Sequence, residues 1–175
     1  MKITLKELNS IWGEPCNNNG FDLNVPLGRV CTDSREIKKG FFFIPLVGEN
    51  YDGHLYINEA FQKGAQATIV SEKFNLQIPE NLIYWRVKDT LDAFQELALL
   101  HRKSLSCSVV AVTGSVGKTT TRAIIHSALA SLGPVMSTSG NNNNDIGVPL
   151  TLLKADSTHR SIVIEMGMRG LGEIK

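Results

Sequence analysis

Surplus charge is what this sequence lacks most plainly: 18 Lys and Arg stand against 17 Asp and Glu, a formal net charge of +1. Nothing in that balance calls for nucleic acid or an anionic membrane surface as partner. Long hydrophobic runs are also missing. None approaches the about 20 apolar residues of a membrane-spanning helix, and the first residues are amphipathic and charged, unlike a signal peptide. Cysteine is sparse: Cys16, Cys31 and Cys107 are odd in number and share no metal-ligand spacing, so reduced thiols in a cytoplasmic protein are expected. The histidines His54, His101, His126 and His159 are scattered, and read as surface or capping residues rather than ligands. What remains is ordinary: 175 residues, 42% hydrophobic and 20% charged, enough for one domain or two small ones.

Against that plain background one stretch carries chemistry. Val109, Val110, Ala111 and Val112 read as a buried strand, running into Thr113-Gly-Ser-Val-Gly-Lys-Thr-Thr120 and then a helical pattern. Strand, glycine-bearing loop and helix with Lys-Thr at its start form a phosphate cradle. Gly114 and Gly117 permit positive φ, and the amides of Ser115 and Val116 can turn inward as a nest. The helix opening adds unpaired N–H groups and roughly half a unit of positive charge. Lys118 supplies a point charge for the phosphates, and a hydroxyl at Thr119 or Thr120 can ligate Mg²⁺. The general pattern G-x-x-x-x-G-K-[ST] is not met, because Val112 stands where its first glycine would fall. The plainer alternative is a glycine turn with an incidental lysine.

Around this stretch the chain reads as alternating strands and helices. Thr4 and Glu7 form a capping box ahead of a short helix through Leu5, Leu8, Ile11 and Trp12. Asn17 to Gly20 is a turn cluster. Strands are expected at 27–31, 41–46, 67–70 and 82–87, with Pro45 marking an edge or a strand end. A helix over 55–63 closes at Gly64, and Asp89 caps another that buries Leu91, Phe94, Leu97, Ala98 and His101. Residues 103–106 look like a linker, giving domains 1–104 and 105–175. After the cradle, Ile124, Ile125, Ala128, Leu129 and Leu132 are spaced to bury one stripe of a helix. A short strand at 135–137, a loop entering a helix at Pro149, and a buried strand at 161–166 follow. The fold class is α/β: a small mixed α/β domain, then an incomplete parallel-sheet P-loop domain, with ligands at the carboxyl ends of the strands.

Three further stretches are candidates, each with a bland alternative. Glu165 ends a buried strand at the same sheet edge as the cradle and can bind Mg²⁺, or can serve only as a strand-end carboxylate. Asn143 and Asn144 can grip a ligand with their amides or merely cap the next helix. Asp33-Ser34-Arg35, with the loop carrying Glu49, Asn50 and Tyr51, is either a capped turn or a diphosphate contact.

Taken together, Asp33-Ser-Arg35, Gly40-x-x-Phe43, Gly48-Glu-Asn-Tyr-Asp-Gly-His54, the short phosphate loop, Gly140-Asn-x-Asn-Asn-Asp-Ile-Gly-Val-Pro149 and Glu165-Met-Gly167 resemble the Mur ligases. These are ATP-dependent amide-forming enzymes of bacterial peptidoglycan synthesis, and the short loop is the form they use. The strings look most like the branch that takes UDP-N-acetylmuramoyl-tripeptide and D-alanyl-D-alanine as substrates. The resemblance implies catalytic roles for Lys118 and Glu165, and ATP contacts from Gly114, Ser115, Val116, Gly117, Lys118, Thr119, Thr120, Asn143 and Asn144. It implies Mg²⁺ at Thr119, Thr120 and Glu165, and UDP-substrate contacts from Ser34, Arg35, Glu49, Asn50 and Tyr51. It also implies three domains, of which this chain carries the first and about a third of the second, and so is expected to be inactive alone. Asn142 and Arg169 depart from the residues common in the family. A nucleotide- or UDP-sugar-binding fragment, the sister ligase that adds the third peptide residue, and a small kinase are the competing readings.

Overall fold

The computed structural model describes residues 3–17, 20–75, 77–168 and 170. Asn18 and Asn19 of the expected turn cluster, and Arg169, lie outside the described residues. The chain divides into two compact units, Met1–Leu97 and Ala98–Lys175, with the division inside one helix.

The first unit begins with a 3-10 turn, Leu5–Leu8, and a single α-helical turn, α1 (Asn9–Trp12). The Glu7 carboxylate reaches back to the Thr4 N–H at 2.7 Å, as the capping-box spacing requires. Four parallel strands follow in the order β1 (Val30–Cys31), β2 (Phe42–Phe43), β3 (Ala67–Ser71) and β4 (Ile83–Val87). The strand expected over 27–31 is shorter because Leu27 pairs instead with the start of the chain, its N–H donating to the Ile3 carbonyl, and the Gly28 N–H donates to the Gln66 side chain. β2 is an interior strand, so Pro45 marks its end rather than an edge. Between β2 and β3 a 3-10 turn, Gly53–Tyr56, leads into α2 (Ile57–Gln62), and Gly64 at φ +90° turns the chain back.

Both faces of a parallel sheet must be covered, and here they are. Phe43, Ile57, Ala60, Val70 and Leu82 form one buried cluster. Phe42 and Trp85 are fully buried, with ring centroids 6.2 Å apart and Trp12 6.1 Å from each. The Trp85 indole N–H donates to the Gly13 carbonyl at 3.1 Å, so this large ring is satisfied as well as buried.

The dividing helix is α3 (Thr90–Ser104), capped by Asp89, whose carboxylate accepts from the N–H groups of Leu91 and Asp92. Lys103 and Ser104 belong to its last turn, and Leu105 and Cys107 are buried, so residues 103–106 are not a free linker. The second unit continues with β5 (Ser108–Val112), α4 (Lys118–Ala130), β6 (Val135–Ser137), α5 (Gly147–Lys154) and β7 (Ser161–Glu165). The strands are parallel in the order β5-β7-β6, with both crossovers helical. Its core gathers Leu105, Cys107, Ala155, Ile162 and Ile164.

Three further expectations fail. The run Val109–Val112 is not a fully buried strand: β5 lies at an edge of its three-stranded sheet, so Val109 and Val110 are half-buried, Ala111 is exposed and only Val112 is buried. The α4 stripe is not buried: Ile125 and Leu129 are half-buried, Ala128 is exposed and Ile124 is 65% exposed, while Leu132, 68% exposed, lies beyond the end of the helix at Ala130. α4 packs on β5, β6 and β7, and Ile124 lies about 100° around the helix from the half-buried Ile125. Nor are all histidines superficial. His54 and His101 are buried, the latter with its Nε2 2.8 Å from the Ala155 carbonyl and its Nδ1 unpartnered. Burial pushes the pKa of His101 down, and its bond to the Ala155 carbonyl only partly opposes that.

Replacing the indole of Trp85 by a methyl group removes both the ring packing and the bond to Gly13. Trp85→Ala is expected to destabilise the first unit by about 3–5 kcal/mol, read as a lower urea midpoint by circular dichroism.

Candidate functional site

The register of the second sheet sets its chemistry. Val112 pairs with Glu165 at the carboxyl ends of β5 and β7, and the Met166 N–H donates to the Val112 carbonyl at 2.8 Å. β5 runs out into the glycine loop at the level where β7 presents Glu165. In that loop Gly117 caps α4 at φ +80°, a conformation other residues adopt only with strain. Among the described residues, nothing accepts a hydrogen bond from the main-chain N–H groups of Ser115, Val116, Gly117, Lys118, Thr119 or Thr120. The loop is exposed, Val116 to 92%. The Lys118 ammonium folds over it and donates to the Gly114 carbonyl at 2.7 Å. Six main-chain donors and a lysine at a helix start make an anion site, and the loop around them supplies no competing anion.

Glu165 lies beside this cradle and is only 3% exposed. The Thr119 hydroxyl donates to Oε2 at 3.1 Å, and the Asn143 amide donates to Oε1 at 3.0 Å. Arg122 Nε stands 3.4 Å from Oε2. The Glu165 N–H donates to the Thr138 hydroxyl, which is itself buried. Of the two threonines considered for a cation, Thr119 meets Glu165, while the exposed Thr120 has no side-chain partner among the described residues. No cluster of three or more His, Cys, Asp or Glu occurs among the described residues. A divalent cation here would therefore take one carboxylate and one hydroxyl from the chain, which suits a hard ion that keeps waters and phosphate oxygens.

The asparagine loop divides its labour. Asn143 reaches Glu165, and its carbonyl accepts from the Gly167 N–H at 2.7 Å. Asn144 is committed to capping: its Oδ1 accepts from the Gly147 N–H at 2.8 Å. Asn142 packs against Gly147, where an added Cβ would come within 2.4 Å of the Asn142 backbone.

In the first unit, Asp33 caps a 3-10 turn, Ser34–Glu36, and takes a forked contact from Arg35, with Nη2 2.6 Å from Oδ2. Hydrogen bonds from the Arg35 side chain and N–H hold the Asp33 carboxyl at about 2. Ser34 is buried with its hydroxyl toward Glu59, whereas the Arg35 side chain is 84% exposed. Glu49, Asn50 and Tyr51 are exposed at the tip of the following loop, flanked by exposed Val47, Leu55 and Tyr56. Asp52 and His54 anchor that loop: His54 Nδ1 is 2.6 Å from Asp52 Oδ1, and Nε2 accepts from the Ser71 N–H at 2.9 Å. That pair of contacts selects the Nδ1–H tautomer.

Arg122, Thr138 and His54 are the side chains that sequence reasoning missed. Arg122 was within reach, since it stands four residues after Lys118 and three after Thr119 on one helix face. Thr138 carried no signal.

Residues 27–103 match the model of the Mur ligase family, catalytic domain, and residues 112–175 that of the Mur ligase middle domain. The chain is 39% identical over 174 residues to UDP-N-acetylmuramoyl-tripeptide–D-alanyl-D-alanine ligase of Bacillus subtilis, spanning 99% of this chain and 38% of that one. It resembles the crystal structure of MurF from Acinetobacter baumannii with a TM-score of 0.85 and 33% identity, covering 97% of this chain and 37% of that one. MurF from Thermotoga maritima, solved in complex with ADP, gives a TM-score of 0.70 and 34% identity over 79% of this chain and 32% of that one. The chain thus spans little more than a third of the length of the relatives it matches.

A side chain at position 147 must push the Asn142 backbone away. Gly147→Ala is expected to cost about 1–3 kcal/mol in a thermal melt and to loosen Asn143 from Glu165. For Asp33, whose carboxyl is held below its ordinary value of 3.8, the stabilisation is full above that value and is lost as pH falls through about 2. An NMR titration of the Asp33 carboxyl should show a midpoint near about 2, moving back toward 3.8 in Arg35→Ala.

Proposed function

The chain belongs to the Mur ligase family, and from that premise we propose that it is the front part of an ATP-dependent ligase joining D-alanyl-D-alanine to UDP-N-acetylmuramoyl-tripeptide. The observation that carries the reading is the run of unpartnered main-chain N–H groups from Ser115 to Thr120, set at the start of α4 beneath Lys118. Phosphoryl transfer asks a protein for position and charge neutralisation more than for covalent help. Lys118 exchanges the Gly114 carbonyl for phosphate oxygens, and the loop amides hold the rest of the polyphosphate chain. Gly114, Ser115, Val116, Gly117, Thr119 and Thr120 contribute backbone, and Asn143 and Asn144 border the same edge. Glu165 and Thr119, with Thr120 nearby, would hold Mg²⁺. That ion, when bound, neutralises charge that develops on the phosphates as the substrate carboxylate takes the γ-phosphoryl group.

On this reading residues 1–104 form the domain for the UDP-linked substrate, and residues 105–175 open the ATP-binding domain. Arg35 presents a planar, charged fork for a diphosphate, and Glu49, Asn50 and Tyr51 offer exposed polar and aromatic contacts on an anchored loop. Ser34 contributes from beneath, by fixing the turn against Glu59. No residue of the chain is assigned to the amine of D-alanyl-D-alanine. Substrates of this kind are soluble nucleotide conjugates, so a cytoplasmic site of action goes with the reading; among the described residues no helix is long and apolar enough to cross a membrane.

A ligand that binds only the folded chain raises its stability by mass action, by about 2.7 kcal/mol at a hundredfold excess over Kd. Mg-ATP is expected to raise the melting temperature of the wild-type chain, and Lys118→Ala to abolish that rise. A Lys118→Ala variant that keeps the full shift would remove the cradle from the reading.

A further inference from the structure

Arg122 makes the ion pair that reaches Glu165 from α4. It lies on α4 one turn beyond Lys118, with its side chain only 15% exposed. Its Nε is buried 3.4 Å from Glu165 Oε2 but donates no aligned hydrogen bond, one of two such side-chain atoms among the described residues. The attraction is that of two charges rather than of a directed bond. Glu165 meanwhile fills its directed contacts elsewhere, from Thr119 and Asn143.

A buried carboxylate without a counter-charge is strongly unfavourable, and beside a polyphosphate site it would also repel the ligand. Lys118, Arg122 and Glu165 together carry a charge of +1 at the cradle; without Arg122 the same set carries zero. We propose that Arg122 is a positioning residue that neutralises Glu165 from its buried flank, so that the cradle accepts nucleotide polyphosphate even before a divalent cation joins it. The contact lacks an aligned hydrogen bond, so Glu165 Oε2 can give up Arg122 to an arriving cation without losing a directed bond, the Thr119 hydroxyl staying beside it. This rests on the cradle being a nucleotide site, and it assigns to Arg122 the task of making nucleotide entry independent of the metal.

The signature is a dependence on Mg²⁺ that a merely structural arginine would not create. ATP binding is measured by calorimetry with the full 175-residue chain, once with EDTA and once with Mg²⁺, for the wild type, Arg122→Met, Arg122→Lys and Arg122→Met with Glu165→Gln. Methionine keeps the apolar stem that packs along the helix. Arg122→Met is expected to weaken binding roughly tenfold in EDTA, the scale of one partly screened charge at this range, and far less with Mg²⁺. Arg122→Lys should restore most of the loss, and the double variant should restore metal-free binding by removing the repelling carboxylate. The double variant leaves no unpaired buried charge, so it reports even if Arg122→Met alone fails to fold. Equal losses with and without Mg²⁺, or no loss, overturn the role of Arg122. A wild-type chain that binds ATP in neither condition overturns instead the nucleotide reading beneath it.

Discussion

The parallel pairing of β5 with β7 is the constraint on which the second unit depends. It brings the last residue of one strand, Val112, level with the last residue of the other, Glu165, and so delivers a glycine loop and a carboxylate to the same edge. A parallel sheet requires a crossover between the two strands, and α4, β6 and α5 lie in that crossover. The start of α4 therefore has to lie at the carboxyl edge, with its unpaired N–H groups outward. The run of outward N–H groups is thus a by-product of the topology, and two glycines and one lysine are set around it. Two donors fix the carboxylate, the Thr119 hydroxyl and the Asn143 amide, while behind the strand the Thr138 hydroxyl accepts from the Glu165 N–H.

The first unit solves a different problem with similar means. Its exposed loop tip would wander if only its own turn held it. Instead Asp52 and His54 tie the loop to the main chain of Ser71, and Phe74 stacks on the imidazole with centroids 4.5 Å apart. A buried imidazole that donates at one nitrogen and accepts at the other leaves no polar atom unsatisfied, which is why a histidine can serve there as a structural peg. Glu49, Asn50 and Tyr51 stay exposed because the peg absorbs the ordering. Arg35 is arranged likewise, extended into solvent but steadied by Asp33.

Much of this was legible in the residues. Hydrophobic runs bounded by glycine and proline placed β3, β4, β5 and β7, and the Asp89 cap and Gly64 turn lie where their chemistry predicts. The glycine spacing marked the cradle, and the resemblance to the Mur ligases marked both units. The short strands were less legible: two residues at β1 and two at β2 carry almost no periodicity. α4 misled, because helical spacing of Ile124, Ile125 and Leu129 says which residues share a stripe but not how much of it is covered, and it did not reveal that the helix ends at Ala130, before Leu132. His54 misled for a related reason, since residue type alone does not reveal a local partner, whereas the periodicity of α3 had already put His101 on its apolar face.

The sequence by itself determined the alternation of strand and helix and the glycine loop at a helix start, because these are written in spacing along the chain, and its motif strings carried the resemblance to the family. Tertiary structure alone decided that Thr119 rather than Thr120 meets Glu165, that Asn143 faces the carboxylate while Asn144 caps a helix, and that Arg122 is the counter-charge. Those choices turn on which side of a helix or loop faces a strand 22 to 46 residues away, and no local pattern records a distance across the sheet.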